Sequence, residues 1–194
     1  MKKYKPLLKK TWKFLWYSDS PASWIVSLVI AFVLVKFLIY PGLGLVLGGT
    51  SHPVVAVVSG SMEHEGIGSE IWWEENKGWY EKRGITKGDY SEWIFKNGFN
   101  KGDIIVLYGS KSKDINRGDV IVFQSNSHYP IIHRVVDKWK DEEEWFLKTK
   151  GDNNGDSYDS LGETEISEER VIGKSIFKVP YLGWIKIFFV EILR

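Results

Sequence analysis

The chain reads as a mainly β protein: one antiparallel β-sheet domain carried on a single N-terminal apolar helix, with a short apolar helix at its C-terminal end. Three observations predict this. Short runs rich in β-branched residues recur after residue 53, at 54–58, 104–108, 120–123, 131–136 and 145–148, and such runs read as strands. The intervals between them are too short for helical crossovers, which favours antiparallel pairing. Ahead of them, residues 22–40 (ASWIVSLVIAFVLVKFLIY) are apolar apart from two serines and Lys36, a stretch that would span roughly 28 Å as a helix.

That stretch predicts a transmembrane anchor, because nothing polar recurs every third or fourth residue to give a soluble helix a wet face. Lys36 lies near the far end, where its stem can carry the ammonium to the headgroups. Lys2, Lys3, Lys5, Lys9, Lys10 and Lys13 precede the stretch with no acid among them, which predicts a cytoplasmic N-terminus and an outer location for everything after about residue 41. The length of the apolar run favours a retained anchor over a cleaved signal peptide, although Gly44, Gly48 and Gly49 supply small residues after it. The organisation expected is a basic cytoplasmic segment at 1–21, the anchor at 22–40, a Gly- and Pro-rich juxtamembrane linker at 41–53, a β-rich domain at 54–178 and an interfacial or membrane-docking segment at 179–194.

Composition narrows the chemistry. With 26 basic and 25 acidic residues among 194, the net charge is +1, so there is no broad basic field for nucleic acid. No cysteine is present, which removes disulfides, thiolate catalysis and cysteine metal sites. Residues 64–100 depart from the strand pattern with mixed charge and many aromatics, Trp72, Trp73, Trp79 and Trp93 among them. They predict an inserted subdomain whose aromatics form either a local core or a surface for membrane or partner.

Serine hydrolysis needs a hydroxyl, a base to take its proton and a group that orients the base. Ser61 follows the first strand through Ser59 and Gly60, at a strand end where glycine permits close approach of a substrate backbone. By spacing alone it is as readily an ordinary turn serine. His133 sits inside the apolar run 131–136, where an imidazole needs a hydrogen-bond partner; a core histidine satisfies the same pattern. The acidic loop at 151–159, GDNNGDSYD, offers Asp152, Asp156 and Asp159. It also resembles an incomplete calcium loop, with Glu163 at the twelfth position counted from Asp152 as the first.

Five segments in order, PVVAVVSGSME (53–63), RGDVIVF (117–123), IHRV (132–135), LKTKGDNN (147–154) and VPYLG (179–183), resemble the type I signal peptidase family (peptidase S26) in its archaeal and endoplasmic-reticulum branch. The resemblance covers nearly the whole chain outside 64–100. It implies a membrane-bound serine endopeptidase that removes signal peptides from secretory preproteins after small residues, with a catalytic domain of the signal peptidase fold on the outer side of the cell membrane. It implies Ser61 as nucleophile and His133 as base, in place of the lysine most bacterial members use. Ser59 becomes an oxyanion donor beside the Ser61 N–H, and Asp152 a residue that shapes the loop beside the site. The acid is expected at position 158 by the usual spacing; this chain has Tyr158 there, and a loop longer by one residue brings Asp159 to the role, with Asp156 the alternative. The resemblance calls for no cofactor or metal. Partners implied are preproteins, the lipid bilayer and the protein translocation channel. Two other readings stand beside it, a Ser-Lys peptidase using Lys138 or Lys140 and a non-catalytic membrane-anchored β scaffold at the secretion machinery.

Overall fold

The computed structural model describes residues 5–127, 129–185 and 187–188, with the side chains of 5–8 left aside. The expectations for 1–4 and for 189–194 lie outside the described residues. The chain divides into two compact units, Met1–Val46 and Leu47–Arg194.

In the first unit, helix α1 (Lys5–Tyr17) turns into α2 (Pro21–Leu34). Ser20 caps α2 by accepting from Ser23 N at 3.2 Å, and Pro21 occupies the first turn, where its missing N–H costs nothing. The Ser23 hydroxyl donates back to Phe14 O at 2.5 Å. The helical path does not stop at residue 40. It continues through a π turn (Val35–Ile39) into α3 (Tyr40–Val46), so the first residues of the expected linker are helical. The π turn gives the physical reason: Tyr40 N reaches Val35 O, and this widened turn makes room for the Pro41 ring, which would otherwise strike the carbonyl four residues back. Pro21–Val46 is long and apolar enough to cross a membrane and would be about 39 Å long.

The second unit is built on a six-stranded sheet in the order β1-β2-β6-β3-β4-β5, with all five pairings antiparallel. The strands are β1 (Val54–Ala56), β2 (Ile104–Tyr108), β3 (Val120–Gln124), β4 (Pro130–Asp141), β5 (Glu144–Lys150) and β6 (Val171–Val179). The mainly β, antiparallel expectation is borne out. The strand runs read from the sequence became β1 to β5, whereas β6, at the centre of the sheet, was missed. Its buried positions are Gly173 and Ser175, while Ile176 and Phe177 are exposed, so its pattern is the reverse of a hydrophobic-in strand. A Cβ at Gly173 would lie 3.0 Å from Tyr108 O, which is why the neighbouring strand tolerates little more than glycine there.

The two sheet faces bury different clusters. Val120, Val122 and Ile132 share one face with Ile105, Leu107, Met62 and Phe99, and Ile121, Phe123, Ile131, Val135 and Leu147 pack on the other with Ile115 and Ile166. This is period-2 alternation applied to β3 and β4.

Residues 64–100 carry α4 (Ser69–Glu81) and α5 (Lys87–Ser91). Thr86 and Asp89 form a reciprocal capping box on α5. Trp72, Trp73, Tyr80, Ile85, Tyr90 and Trp93 form a third cluster, completed by Val136 of β4. The aromatics of the insertion therefore make a local core seated on the sheet. Trp73, fully buried and stacked on Tyr90 at 4.7 Å between ring centroids, should be its keystone. Trp73→Ala is expected to cost about 3–5 kcal/mol, read as a lowered denaturation midpoint of the detergent-solubilised chain by near-UV circular dichroism.

Candidate active site

Strand β4 sets up the site by placing His133 and Arg134 back to back. Adjacent residues of a strand face opposite ways, so His133 joins the face of Ile131 and Val135, and Arg134 that of Ile132 and Val136. Each is almost completely buried, and each therefore requires polar partners.

Arg134 obtains its partners from three segments. Its Nε and Nη2 grip Asp152 at 2.8 and 2.7 Å, Nη1 donates to Gly118 O and Ile94 O, and Nη2 also reaches Phe95 O. The guanidinium lies over the Trp93 ring, 4.8 Å from its centroid. Asp152 accepts a further bond from His64 Nε2 at 3.0 Å, and His64 stacks on Trp72 at 4.3 Å. Burial alone would push the Asp152 carboxyl up, but the charge and hydrogen bonds of Arg134, with His64 beside them, hold it well below the usual carboxylate range. Burial likewise works against the Arg134 charge, and Asp152 more than offsets it.

Lys150 pairs in register with Arg134 across β4 and β5 and so shares its face. Its amine donates to Gly151 O at 3.0 Å and Asp152 O at 3.4 Å, over the rings of Trp79 and Tyr80. Burial pushes it down to about 8.

This network holds the Ser61 loop. Asn153 N donates to Ser61 O at 2.8 Å, Asn153 Nδ2 to Gly60 O at 3.3 Å, and Asp152 N to Met62 Sδ at 3.4 Å. A Cβ at Gly151 would fall 2.7 Å from Ser61 O, so the serine loop lies directly on the glycine. Met62 is fully buried in the first cluster while Ser61 is half-buried. The Ser61 hydroxyl lies 3.3 Å from Ser59 Oγ.

On the opposite face, His133 Nδ1 is 2.5 Å from Glu163 Oε2. Glu163 is fully buried and also accepts from Tyr158 N at 2.7 Å and Thr149 Oγ1 at 3.3 Å. Asp159 is exposed and accepts from Thr164 Oγ1 at 2.7 Å. Asp156, also exposed, accepts from Trp79 Nε1 and Ser157 N. Asp152 is bound to Arg134 and His64. The structure thus brings Glu163, rather than any aspartate of the loop, to the imidazole. Ser61 Oγ and His133 are not hydrogen-bonded to one another. Lys138 donates to Lys113 O and Ile115 O, and Lys140 contacts Glu143, so both lysines are engaged with neighbours remote in sequence from the serine loop. Sequence reasoning placed Glu163 only in a calcium-loop count; the signal that could have found it is a carboxylate just after a turn glycine, Gly162. No sequence signal marks His64, which the structure adds to the Asp152 site.

The Arg134–Asp152 pair makes the strongest stability prediction. Asp152→Asn leaves a buried guanidinium without its anion and is expected to cost about 3–5 kcal/mol. Because the folded carboxyl is depressed below 3.8, its contribution is full above that value and is lost as pH falls below it. The thermal midpoint of the parent chain should therefore drop on acidification toward pH 3, and that of Asp152→Asn should drop less.

No family model matches the chain. Over 155 residues it is 28% identical to the signal peptidase complex catalytic subunit SEC11C of Homo sapiens, covering 77% of this chain and 63% of that protein. It is 26% identical over 160 residues to the catalytic subunit SEC11 of Colletotrichum graminicola, covering 80% and 73% respectively. The SEC11 subunit of Plasmodium falciparum is 29% identical over 151 residues, 75% of this chain and 63% of that one. The chain thus spans a little under two thirds of the length of the human and Plasmodium relatives. These matches make the chain a homologue of signal peptidase complex catalytic subunits.

Proposed function

We propose that this protein is a membrane-anchored serine endopeptidase that removes signal peptides from secretory preproteins, with Ser61 as nucleophile and His133 as general base. The observation that carries the proposal is the seating of the Ser61 loop on residues 151–153, immediately after the strand that pairs with the His133 strand. With Nδ1 occupied by Glu163, Nε2 is the nitrogen left to accept a proton.

In this reading Ser61 Oγ attacks the scissile carbonyl and its proton passes to His133 Nε2. The oxyanion is met by the Ser61 backbone N–H and the Ser59 hydroxyl. Collapse of the tetrahedral intermediate breaks the C–N bond, and Nε2 returns the proton to the departing amine, which is the new N-terminus of the mature protein. Water then attacks the Ser61 ester, again with His133 as base, releases the signal peptide and restores the hydroxyl. The Ser61 hydroxyl and the imidazole must close to direct contact when substrate fills the site, as catalytic hydrogen bonds do on forming the Michaelis complex.

Strand β1 lies at an edge of the sheet, and it leads into the serine through the exposed Val58. This supports binding of the substrate as an added extended strand, which brings small side chains before the cleavage site into register. Helix Pro21–Val46 serves as the anchor, with the N-terminus cytoplasmic and the catalytic unit outside. Tethering at that surface raises the effective concentration of enzyme where signal peptides emerge, beside the translocation channel.

The test is cleavage of a preprotein by the full chain in lipid vesicles. Ser61→Ala and His133→Ala are each expected to lower turnover at least about a thousandfold, whereas Lys138→Ala and Lys140→Ala leave it near the parent value. Full activity in either of the first two would sink the mechanism. Absence of cleavage in the parent chain, with the fold intact, would favour the scaffold reading.

A further inference from the structure

We infer that Glu163, and not an aspartate of the 152–159 loop, is the positioning residue that orients His133 for catalysis. The inference rests on the Ser61–His133 reading and adds its third member. An orienting acid must be buried beside the base, must be an acceptor, and must be fixed by something other than the base itself. Glu163 meets each condition. It is fully buried; Oε2 lies 2.5 Å from His133 Nδ1; and the Tyr158 N–H and the Thr149 hydroxyl hold the carboxyl from two other directions.

The backbone is fixed too. Thr149 N donates to Glu163 O at 2.9 Å, which pins residue 163 to the strand next to β4. Thr149 pairs with Val135, so it faces the same side of the sheet as His133, and its hydroxyl meets Glu163 there. The chain arrives through a short 3-10 turn (Asp159–Leu161) and then Gly162, whose φ of +67° suits glycine. A Cβ at Gly162 would lie 2.5 Å from Asn126 Oδ1 and 2.7 Å from Arg170 Nη2. That left-handed step ends the turn and delivers Glu163 inward, while Asp159, at the start of the turn, stays outside on Thr164.

The rival carboxylates fail on place or on occupancy. Asp156 and Asp159 are exposed. Asp152 is buried but sits on the Arg134 face, bonded to Arg134 and His64. Chemically, a carboxylate at Nδ1 keeps the proton on that nitrogen, leaves the Nε2 lone pair toward the nucleophile, and stabilises the imidazolium formed when Ser61 gives up its proton. Glu163 itself receives no proton in the cycle.

The test compares Glu163→Gln, Glu163→Asp, Asp159→Asn and Asp156→Asn in the full chain reconstituted in lipid vesicles with a preprotein. Glu163→Gln is expected to lower kcat by about a hundredfold to ten-thousandfold with KM changed less than about threefold. Glu163→Asp should recover part of the loss, and both loop variants should stay within about threefold of the parent. Independently of any variant's folding, 15N-edited proton NMR of the detergent-solubilised parent chain should show a low-field His133 Nδ1–H resonance. That signal should persist in Ser61→Ala and vanish in His133→Ala. Its absence from the folded parent, or parent-like kcat in Glu163→Gln, or the large kcat loss falling on Asp159→Asn instead, overturns the inference while leaving the Ser61–His133 pair standing. Activity in His133→Ala overturns the pair itself.

Discussion

The bidentate contact between Arg134 and Asp152 is the constraint on which the rest of this unit depends. A guanidinium this deeply buried is tolerable only with a fixed anion and with its remaining protons placed on acceptors. Meeting that demand draws three parts of the chain to one point. The turn at Gly118 and the end of the insertion, through Ile94 and Phe95, supply carbonyls, and the loop after β5 supplies the carboxylate. Once Asp152 is held, its neighbours Gly151 and Asn153 are held as well, and these are the residues on which the Ser61 loop rests. The position of the Ser61 loop is thus tied to the Arg134–Asp152 salt bridge.

This division of labour explains why two buried polar residues stand side by side within the apolar run 131–136 of β4. One face of β4 is used for architecture, with Arg134 closing the insertion and the loop onto the sheet. The other face holds His133, the proposed base, among Ile131, Val135 and Ile121, with a carboxyl at Nδ1. The tryptophan-rich insertion has a place in the same scheme. Trp93 lies against Arg134 and Trp72 against His64, so its aromatics shield the ion pair from water, which strengthens the pair.

Much of the fold was legible because β1 to β4 announce themselves by β-branched runs and turn glycines, and β5 by its Trp145–Phe146 pair. The helices at residues 69–91 were not, since their apolar residues are aromatics mixed with charge, a composition compatible with loop, lid or helix. The sixth strand was hidden by close packing that demands Gly173 and Ser175 inside. The anchor's extension past Pro41 was hidden by a proline that usually ends a helix and here follows a widened turn. At the site, motif order points to Ser61 and His133 as the proposed pair, while the carboxylate that lies beside His133 is Glu163, which motif order does not mark. Spacing within a loop counts residues, but Gly162 decides which carboxylate faces inward, and a left-handed glycine is invisible to a spacing argument.

Lys150 invites comparison with His133, since a buried amine pushed down to about 8 is the kind of base that a Ser-Lys enzyme uses. Position argues against that role. Lys150 stands opposite Arg134 in the β4–β5 register, so it faces the insertion, and its protons are placed on the carbonyls of Gly151 and Asp152. Its amine holds the turn beneath Ser61 through those two carbonyls. Deprotonation would remove a cation from the neighbourhood of Asp152, on whose flanking residues the Ser61 loop rests. In the proposed mechanism the imidazole, held at Nδ1 by Glu163, would take the serine proton without disturbing the contacts of Arg134, Asp152 and Lys150 beneath the serine loop. Keeping the proposed base apart from these structural cations is the physical argument for histidine over lysine in that reading.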